Sequence, residues 1–376
     1  ATGNGADASP SKEKKITVAP LCGIIKVGNL KYKDRDGMAV YIKDNTDIYL
    51  TGSNAYLLSS DLATLLTGRY VEISMLPLSF SEYQECTGIT AEKALAEYIR
   101  YGGFPYLSQM ERTDEKVHTY LEGIYNTVVV KDIEDRQNRK QNDPDKRKIT
   151  DITLLKTIAR YLASTVGSPV SVRSVTDYLI SSGRKVSPNT VDDYMEALQE
   201  SFIFYPVERF DIVGKQLLKA NRKWYMVDLG LRNHILPRKQ YDLGFSLENI
   251  IYFELLRRGY TVHVGKNGDN EVDFVAQKQG VLSYFQVTAD MSNEETFKRE
   301  IRPLQAIRDN YDKIILTLDY LTPGNYEGIK VIHALDWLNP PTPSTISALR
   351  EAEQISHNQH YKRYSDVNEA LKELKK

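Results

Sequence analysis

The chain has 376 residues, enough for two or three domains at about 100–200 residues each. Hydrophobic residues make up 41% and charged residues 26%, ordinary values for a globular protein. Lys and Arg number 49 against 50 Asp and Glu, a formal net charge of -1. That balance excludes a bulk cationic attraction to nucleic acid or membrane and leaves only a local patch to be sought. Two cysteines, Cys22 and Cys86, make no disulfide framework and point to a reducing cytoplasm. No apolar run approaches the ~20 residues that span a bilayer, so no membrane role is expected.

Residues 1–20 open with ATGNGADASPSKEKK, polar and rich in Gly, Ser and Ala, without the apolar stretch of a signal peptide. They read as a disordered tail. Three apolar runs follow, LCGIIKV (21–27), MAVYI (38–42) and DIYLTG (47–52), each short and bounded by turn residues, so strands are predicted. SNAYLLSSDLATLLTG has helical Leu spacing closed by Gly68, and RYVEISMLPL is a further strand stopped by Pro77. SFSEYQEC begins a helix, with Ser79 as cap and Glu82 three residues on, a capping box. Residues 90–130 pattern as helix interrupted by YGGFPYL, and 131–148 is a solvated charge run.

The character changes at 151. ITLLKTIARYLASTVG, SVRSVTDYLISSG and SPNTVDDYMEALQES are three amphipathic helices, the third with Ser187 as cap and Pro188 at its first position. Two β-rich runs around a turn follow, FIFYPVERFDIVGKQLLKANRKWYMVD. Three helices and a two-stranded wing make a winged-helix pattern. From 241 the pattern alternates: helix FSLENIIYFELLRRG (245–259), strands YTVHVGK, EVDFVAQ and LSYFQVT, helix NEETFKREIRPLQAIRDNY, strand KIILTLD and a last strand GIKVIHALDWL. That order predicts an α/β sandwich. Residues 341–376 open with PPTPSTIS and end in a lysine-rich helix.

TGSNAYLLSSDLATLLTGRYVEISMLPLSFSEY, YGGFPYL, YLEGIYNTVVVKDI and the winged-helix-like segment together resemble a large prokaryotic family of AAA-type ATPases whose members carry an uncharacterised domain (a DUF) behind the ATPase core. The likeness covers roughly residues 38–335. It implies an ATP-binding core with ATP and Mg²⁺ as its ligands, held by a glycine-rich loop with Lys and Ser/Thr. By the same resemblance Thr51, Ser53 and Asn54 match the nucleotide sensor, and Arg69 matches the arginine that faces a γ-phosphate. Without such a ligand, Ser53 or Asn54 is a helix cap and Arg69 a surface ion-pair partner.

The sequence departs from the family at the phosphate loop. No GxxxxGK[ST] occurs in it, and the nearest segment, GIIKVGNL (23–30), has Asn29 in place of Lys and Leu30 in place of Ser/Thr. It also lies too close to the sensor strand for a crossover unit of ~30 residues. Lacking the lysine charge and the hydroxyl ligand, it has no means to stabilise phosphoryl transfer. The front of the core is therefore expected to be absent from this sequence, by loss or because the sequence is a piece of a longer ATPase.

The 241–340 order resembles the restriction-endonuclease-like fold. That likeness implies a metal site of a helix acid, Glu248, a strand Asp, Asp273, and a third-strand pair that reads Gln286 and Thr288. Gln286 is a neutral ligand, and Thr288 stands where the lysine belongs. A hard divalent cation prefers charged oxygens, so the site reads as degenerate, with Glu248 and Asp273 paired to Arg257, Arg258 or Lys266 instead. The third helix of the winged-helix pattern carries Asp192, Asp193, Glu196 and Glu200 and no cation, which disfavours its entry into a phosphate-lined groove. Nearby cations are Arg173, Arg184, Lys185, Lys215, Lys219, Arg222 and Lys223. Among six histidines only HNQH (357–360) has two-ligand spacing in sequence, and no metal is assigned there.

The expectation is a mixed α/β protein: tail 1–20, partial AAA-type core 21–85, helical connector 86–150, winged helix 151–240, restriction-endonuclease-like α/β domain 241–340 and helical tail 341–376. The function expected is a degenerate, non-hydrolysing binding or regulatory member of an ATP-binding family with a protein partner. The alternatives are a fragment of an intact ATPase and a DNA-binding or nuclease-like protein.

Overall fold

The computed structural model describes residues 31–33 and 39–41, then 75–127, 133, 149, 151–236 and 242–340. The tail 1–20, GIIKVGNL, Thr51, Ser53, Asn54, Arg69, HNQH and 341–376 lie outside the described residues, as does most of the 131–148 run. Strands β1 (Lys31–Lys33) and β2 (Ala39–Tyr41) pair antiparallel, Lys31 opposite Tyr41. Beyond them the described residues fall into two compact units. The first holds 100–209 and 218–236, the second 78–99, 210–217 and 242–340.

Helix α1 (Phe80–Thr87) starts at the predicted capping box: Ser79 Oγ accepts from the Glu82 amide at 3.2 Å, and Glu82 accepts from the Ser79 amide at 2.7 Å. These bonds hold the Glu82 carboxyl below the usual range. In α2 (Ala91–Tyr101) Ala94, Leu95, Tyr98 and Ile99 are buried, one stripe at helical period. Tyr98 seats on Tyr83, and its hydroxyl donates to the Leu78 carbonyl at 2.6 Å.

In the first unit a 3-10 turn, Pro105–Ser108, buries Leu107 against Val117 and Leu121 of α3 (Asp114–Ile124). Then come α4 (Ile152–Ser164), β3 (Pro169–Val170), α5 (Val172–Ser181) and α6 (Pro188–Glu200), capped by Asp151, Ser171 and Ser187. Ser and Asp supply the side-chain acceptors that a helix start needs, and Pro188 sits at the first helical position as the sequence predicts. Strands β4 (Phe204–Asp211) and β5 (Gln216–Met226) are neighbours, and β5 also pairs with β3. Helix α7 (Leu229–Ile235), capped by Asp228, was not anticipated from sequence. Its seven residues are too few to show a period.

The second unit continues with α8 (Leu243–Arg257), β6 (Thr261–Asn267), β7 (Asn270–Lys278), β8 (Val281–Thr288), α9 (Glu294–Gln305), β9 (Asp312–Thr317), β10 (Gly324–Tyr326), β11 (Ile329–His333) and α10 (Ala334–Leu338). Its strands lie in the order β10-β11-β9-β8-β7-β6. β6, β7 and β8 are antiparallel, while β8, β9 and β11 are parallel. The α-β-β-β-α-β order read from the sequence is present, and the fold is mixed α/β. Val275, Tyr284, Ile301, Leu304, Ile315 and Val331 form the core between sheet and α9. One segment corrects the sequence reading. GIKVIHALDWL is not all strand: β11 ends at His333, opposite Thr317, where its partner β9 also ends. With no ladder left to join, ALDWL turns into α10.

Candidate functional site

β7 and β8 pair from Lys278 opposite Val281 to Phe274 opposite Phe285, and then the backbone ladder stops. Side chains carry it one step further. The Val287 amide donates to Asp273 Oδ2 at 2.8 Å, and the Asp273 amide donates to Gln286 Oε1 at 3.3 Å. A register shift between His263 and Gly265 in the β6–β7 pair lies across from this point, and such an irregularity bends a strand away from its neighbour.

Gln286 is used at both ends. Its Nε2 donates to Glu300 Oε2 of α9 at 3.0 Å, and Glu300 Oε1 accepts from Arg299 at 2.8 Å. Asp273 and Glu300 are buried, at 9% and 7% exposure. Buried acids need such donors, because an unpaired carboxylate there is costly. Thr288 spends its hydroxyl on the Asp290 carbonyl at 3.1 Å. Glu248 is buried on α8, the helix that packs on β6, β7 and β8. The structure thus brings Asp273 and Gln286 into direct contact and links Gln286 to Glu300, an acid that the sequence reading missed. Glu300 was legible only as an acid on the core face of an amphipathic helix. Among the described residues no three His, Cys, Asp or Glu side chains stand ready to hold a metal ion.

The arginines expected beside Glu248 and Asp273 are engaged with Glu254. Arg257 lies 3.7 Å from it, and Arg258 at 2.8 Å. Arg258 also donates to the Trp337 carbonyl at 2.6 Å and lies 3.7 Å over the Trp337 ring.

Of the cations noted around 173–223, Arg184 pairs with Asp151 at 2.8 Å and Lys223 is 3% exposed, while Arg173, 3.9 Å from Asp177, and Lys185 are exposed. Lys215 is exposed in the β4–β5 turn at φ 51°.

The YGGFP segment has a structural explanation within the same unit. Asp228, fully buried, caps α7 through the Leu231 amide at 2.8 Å and also accepts from the Gly103 amide at 2.6 Å. Gly102 has φ +86°, and a Cβ there would overlap the Asp228 carboxylate. A Cβ at Gly230 would overlap the Tyr101 carbonyl. The motif brings backbone within reach of a carboxylate. Burial pushes that carboxyl up to about 6, against the lowering effect of the Leu231, Gly103 and Gly230 amides.

Comparison with known proteins bears on both units. An AAA domain model matches residues 37–84, and a domain of unknown function (DUF8612) matches 92–242. An uncharacterised protein of Haemophilus influenzae is 40% identical over 80% of this chain and 72% of its own length. An uncharacterised protein of Methanocaldococcus jannaschii is 27% identical over 76% of this chain and 65% of its own. Among solved structures, Can2 from Sulfobacillus thermosulfidooxidans in complex with cyclic tetra-adenylate overlaps 72% of this chain and 81% of that one at 14% identity. Its TM-score of 0.21 is too low to carry any argument. The matched segments and the 40% identical relative place this chain in a family of AAA-type proteins whose AAA domain is followed by a domain of unknown function.

Proposed function

We propose that this chain serves as a binding or regulatory module of its AAA-type family and does not itself hydrolyse ATP. The observation that carries the reading is the Asp273–Gln286–Glu300 chain of hydrogen bonds. The constellation closest to a hydrolytic metal site has its neutral ligand bonded at both ends to the protein. A cation entering there would have to break two partly buried hydrogen bonds, at roughly 1 kcal/mol each. Glu248, Asp273, Gln286 and Thr288 are on this reading a retained scaffold.

The ATP side of the reading rests on sequence. ATP and Mg²⁺ require the lysine and hydroxyl of a phosphate loop, and GIIKVGNL offers Asn29 and Leu30. The residues present do not fit the Mg–nucleotide pair, and no step is assigned to it. Thr51, Ser53, Asn54 and Arg69 are the residues by which a sensor contact to nucleotide would persist. Steady-state phosphate release with Mg-ATP tests the proposal. No turnover above the no-protein rate is expected, and saturable turnover that Arg69→Ala abolishes would overturn it.

A protein partner suits the 151–236 helices better than DNA does. The acidic face of α6 repels phosphates, and Arg184 is engaged with Asp151. A salt-sensitive shift of duplex DNA lost on Lys215→Glu would favour the DNA reading instead.

A further inference from the structure

Helix α9 carries two stripes side by side, each set by the helical period. Phe297, Ile301 and Leu304 form one, with Ile301 and Leu304 in the core and Phe297 packed on its margin. Lys298, Arg302 and Gln305 form the other, and all three are exposed. The sheet ends at β10, whose Tyr326 ring meets Phe297 edge to face at 4.9 Å. The Tyr326 hydroxyl donates to the Thr322 carbonyl at 3.0 Å, which holds that ring in place. Between α9 and β10 lies an open groove of 520 Å³. Phe297, Ile301 and Tyr326 give it an apolar lining, and Arg302, Lys298, Gln305 and Glu327 stand at its polar margin.

Most of the polar groups there are already engaged. Lys298 pairs with Glu294 at 2.5 Å, and Gln305 Nε2 donates to Glu327 Oε2 at 2.8 Å. Among the described residues the Arg302 guanidinium has no ion-pair partner. A guanidinium beside an apolar lining binds a carboxylate through two parallel hydrogen bonds, while the rings take up an apolar group. Glu294 and Glu327 stand beside the cations, which disfavours a multiply charged phosphate ligand and suits a single carboxylate. The volume is that of a ligand cleft, about 300–1,000 Å³. With β10 only three residues long, backbone pairing contributes little, and recognition falls to side chains.

We propose that the α9–β10 groove docks a short segment of a protein partner in which an aromatic side chain neighbours one carboxylate. The ring lies between Phe297, Ile301 and Tyr326, and the carboxylate lies on Arg302. This rests on the binding role proposed above and gives it a partner chemistry; phosphate release tests that role separately. The full 376-residue chain, labelled at isoleucine methyl groups, is titrated with N-acetyl-phenylalanyl-glutamate amide. The Ile301 methyl signal, assigned through Ile301→Val, should shift and saturate with a Kd of about 1 mM or tighter. The phenylalanyl-glutamine analogue lacks the charge and the alanyl-glutamate analogue lacks the ring, so each should bind roughly tenfold more weakly or worse. Arg302→Gln should cost about the same tenfold and abolish the preference for glutamate over glutamine, with the remaining methyl spectrum showing that the variant is folded. Lys330→Gln, at an exposed cation outside the groove lining, should leave the affinity unchanged. Absence of a saturable Ile301 shift overturns the proposal. So does equal affinity for the glutamine analogue, or binding that survives Arg302→Gln undiminished.

Discussion

The carboxylate of Asp228 and the backbone amide of Gly103 are 2.6 Å apart across 125 positions of sequence. The contact exists because Gly102 carries no Cβ, and it fixes the start of α7 against the end of α2. Gly102→Ala meets two penalties together, a φ of +86° and a direct overlap with the carboxylate. It should cost about 3 kcal/mol or more. Gly88→Ala is the comparison: its φ is +65°, but the space around it is open, so about 1 kcal/mol is expected. Urea midpoints of the two variants decide it, and equal losses would show that the carboxylate gives way.

The same carboxyl makes stability depend on pH in an unusual direction. Its pKa is raised from 3.8 to about 6, so the folded state holds the proton more tightly than the unfolded one. That contribution is fully present below the unfolded value and is lost as pH rises through about 6. It is on the order of 3 kcal/mol. Asp228→Asn should lower stability at every pH, because its NH₂ meets backbone donors. It should also flatten this part of the profile between pH 4 and 6. Denaturation curves of both proteins across that window measure the difference; parallel curves would refute it.

Gln286→Glu tests how far the fork between β7 and β8 is committed to structure. The change keeps an acceptor for the Asp273 amide but sets a carboxylate against Glu300, its present partner at 3.0 Å. Like charges that close disfavour ionisation. A loss of about 1–3 kcal/mol at pH 7 is expected, shrinking on acidification. Melting with and without Mg²⁺ adds a second readout. Full recovery by Mg²⁺ at low concentration would mean that the scaffold is one substitution from a working cation site.

Arg258 anchors the end of α8 through Glu254, the Trp337 carbonyl and the Trp337 ring. A lysine keeps the charge and loses the planar stacking and the fork of donors. Arg258→Lys should cost about 1–2 kcal/mol and shift the Trp337 emission towards that of an exposed indole. An unchanged spectrum and midpoint would reduce the stack to a surface coincidence.

What the sequence announced and what it hid follow physical lines. Ser79 with Glu82, and Ser187 with Pro188, are local signals, and both helices start where those residues stand. The strands around EVDFVAQ and LSYFQVT were legible from β-branched and aromatic runs. Asp273 and Gln286 were legible as residue types, but their bond to each other depends on where two strands part, which no pattern of period two records. Asp228 and Gly103 pair across a distance over which sequence carries no periodic signal. Helix α7 and strand β10 are too short to rise above their surroundings. Thr51, Ser53, Asn54 and Arg69 lie outside the described residues.

Among the described strands β10 ends the sheet, is three residues long, and is followed by Glu327 and Gly328, both at positive φ. An open edge invites another chain to add a strand, and short, bent edges are how soluble proteins discourage it. With so few free backbone groups in line, this margin of the second unit gives a growing fibril almost nothing to template on. Lengthening β10 at its start, for instance by replacing Pro323 and Gly324 with β-branched residues, would turn that protected margin into a site of aggregation.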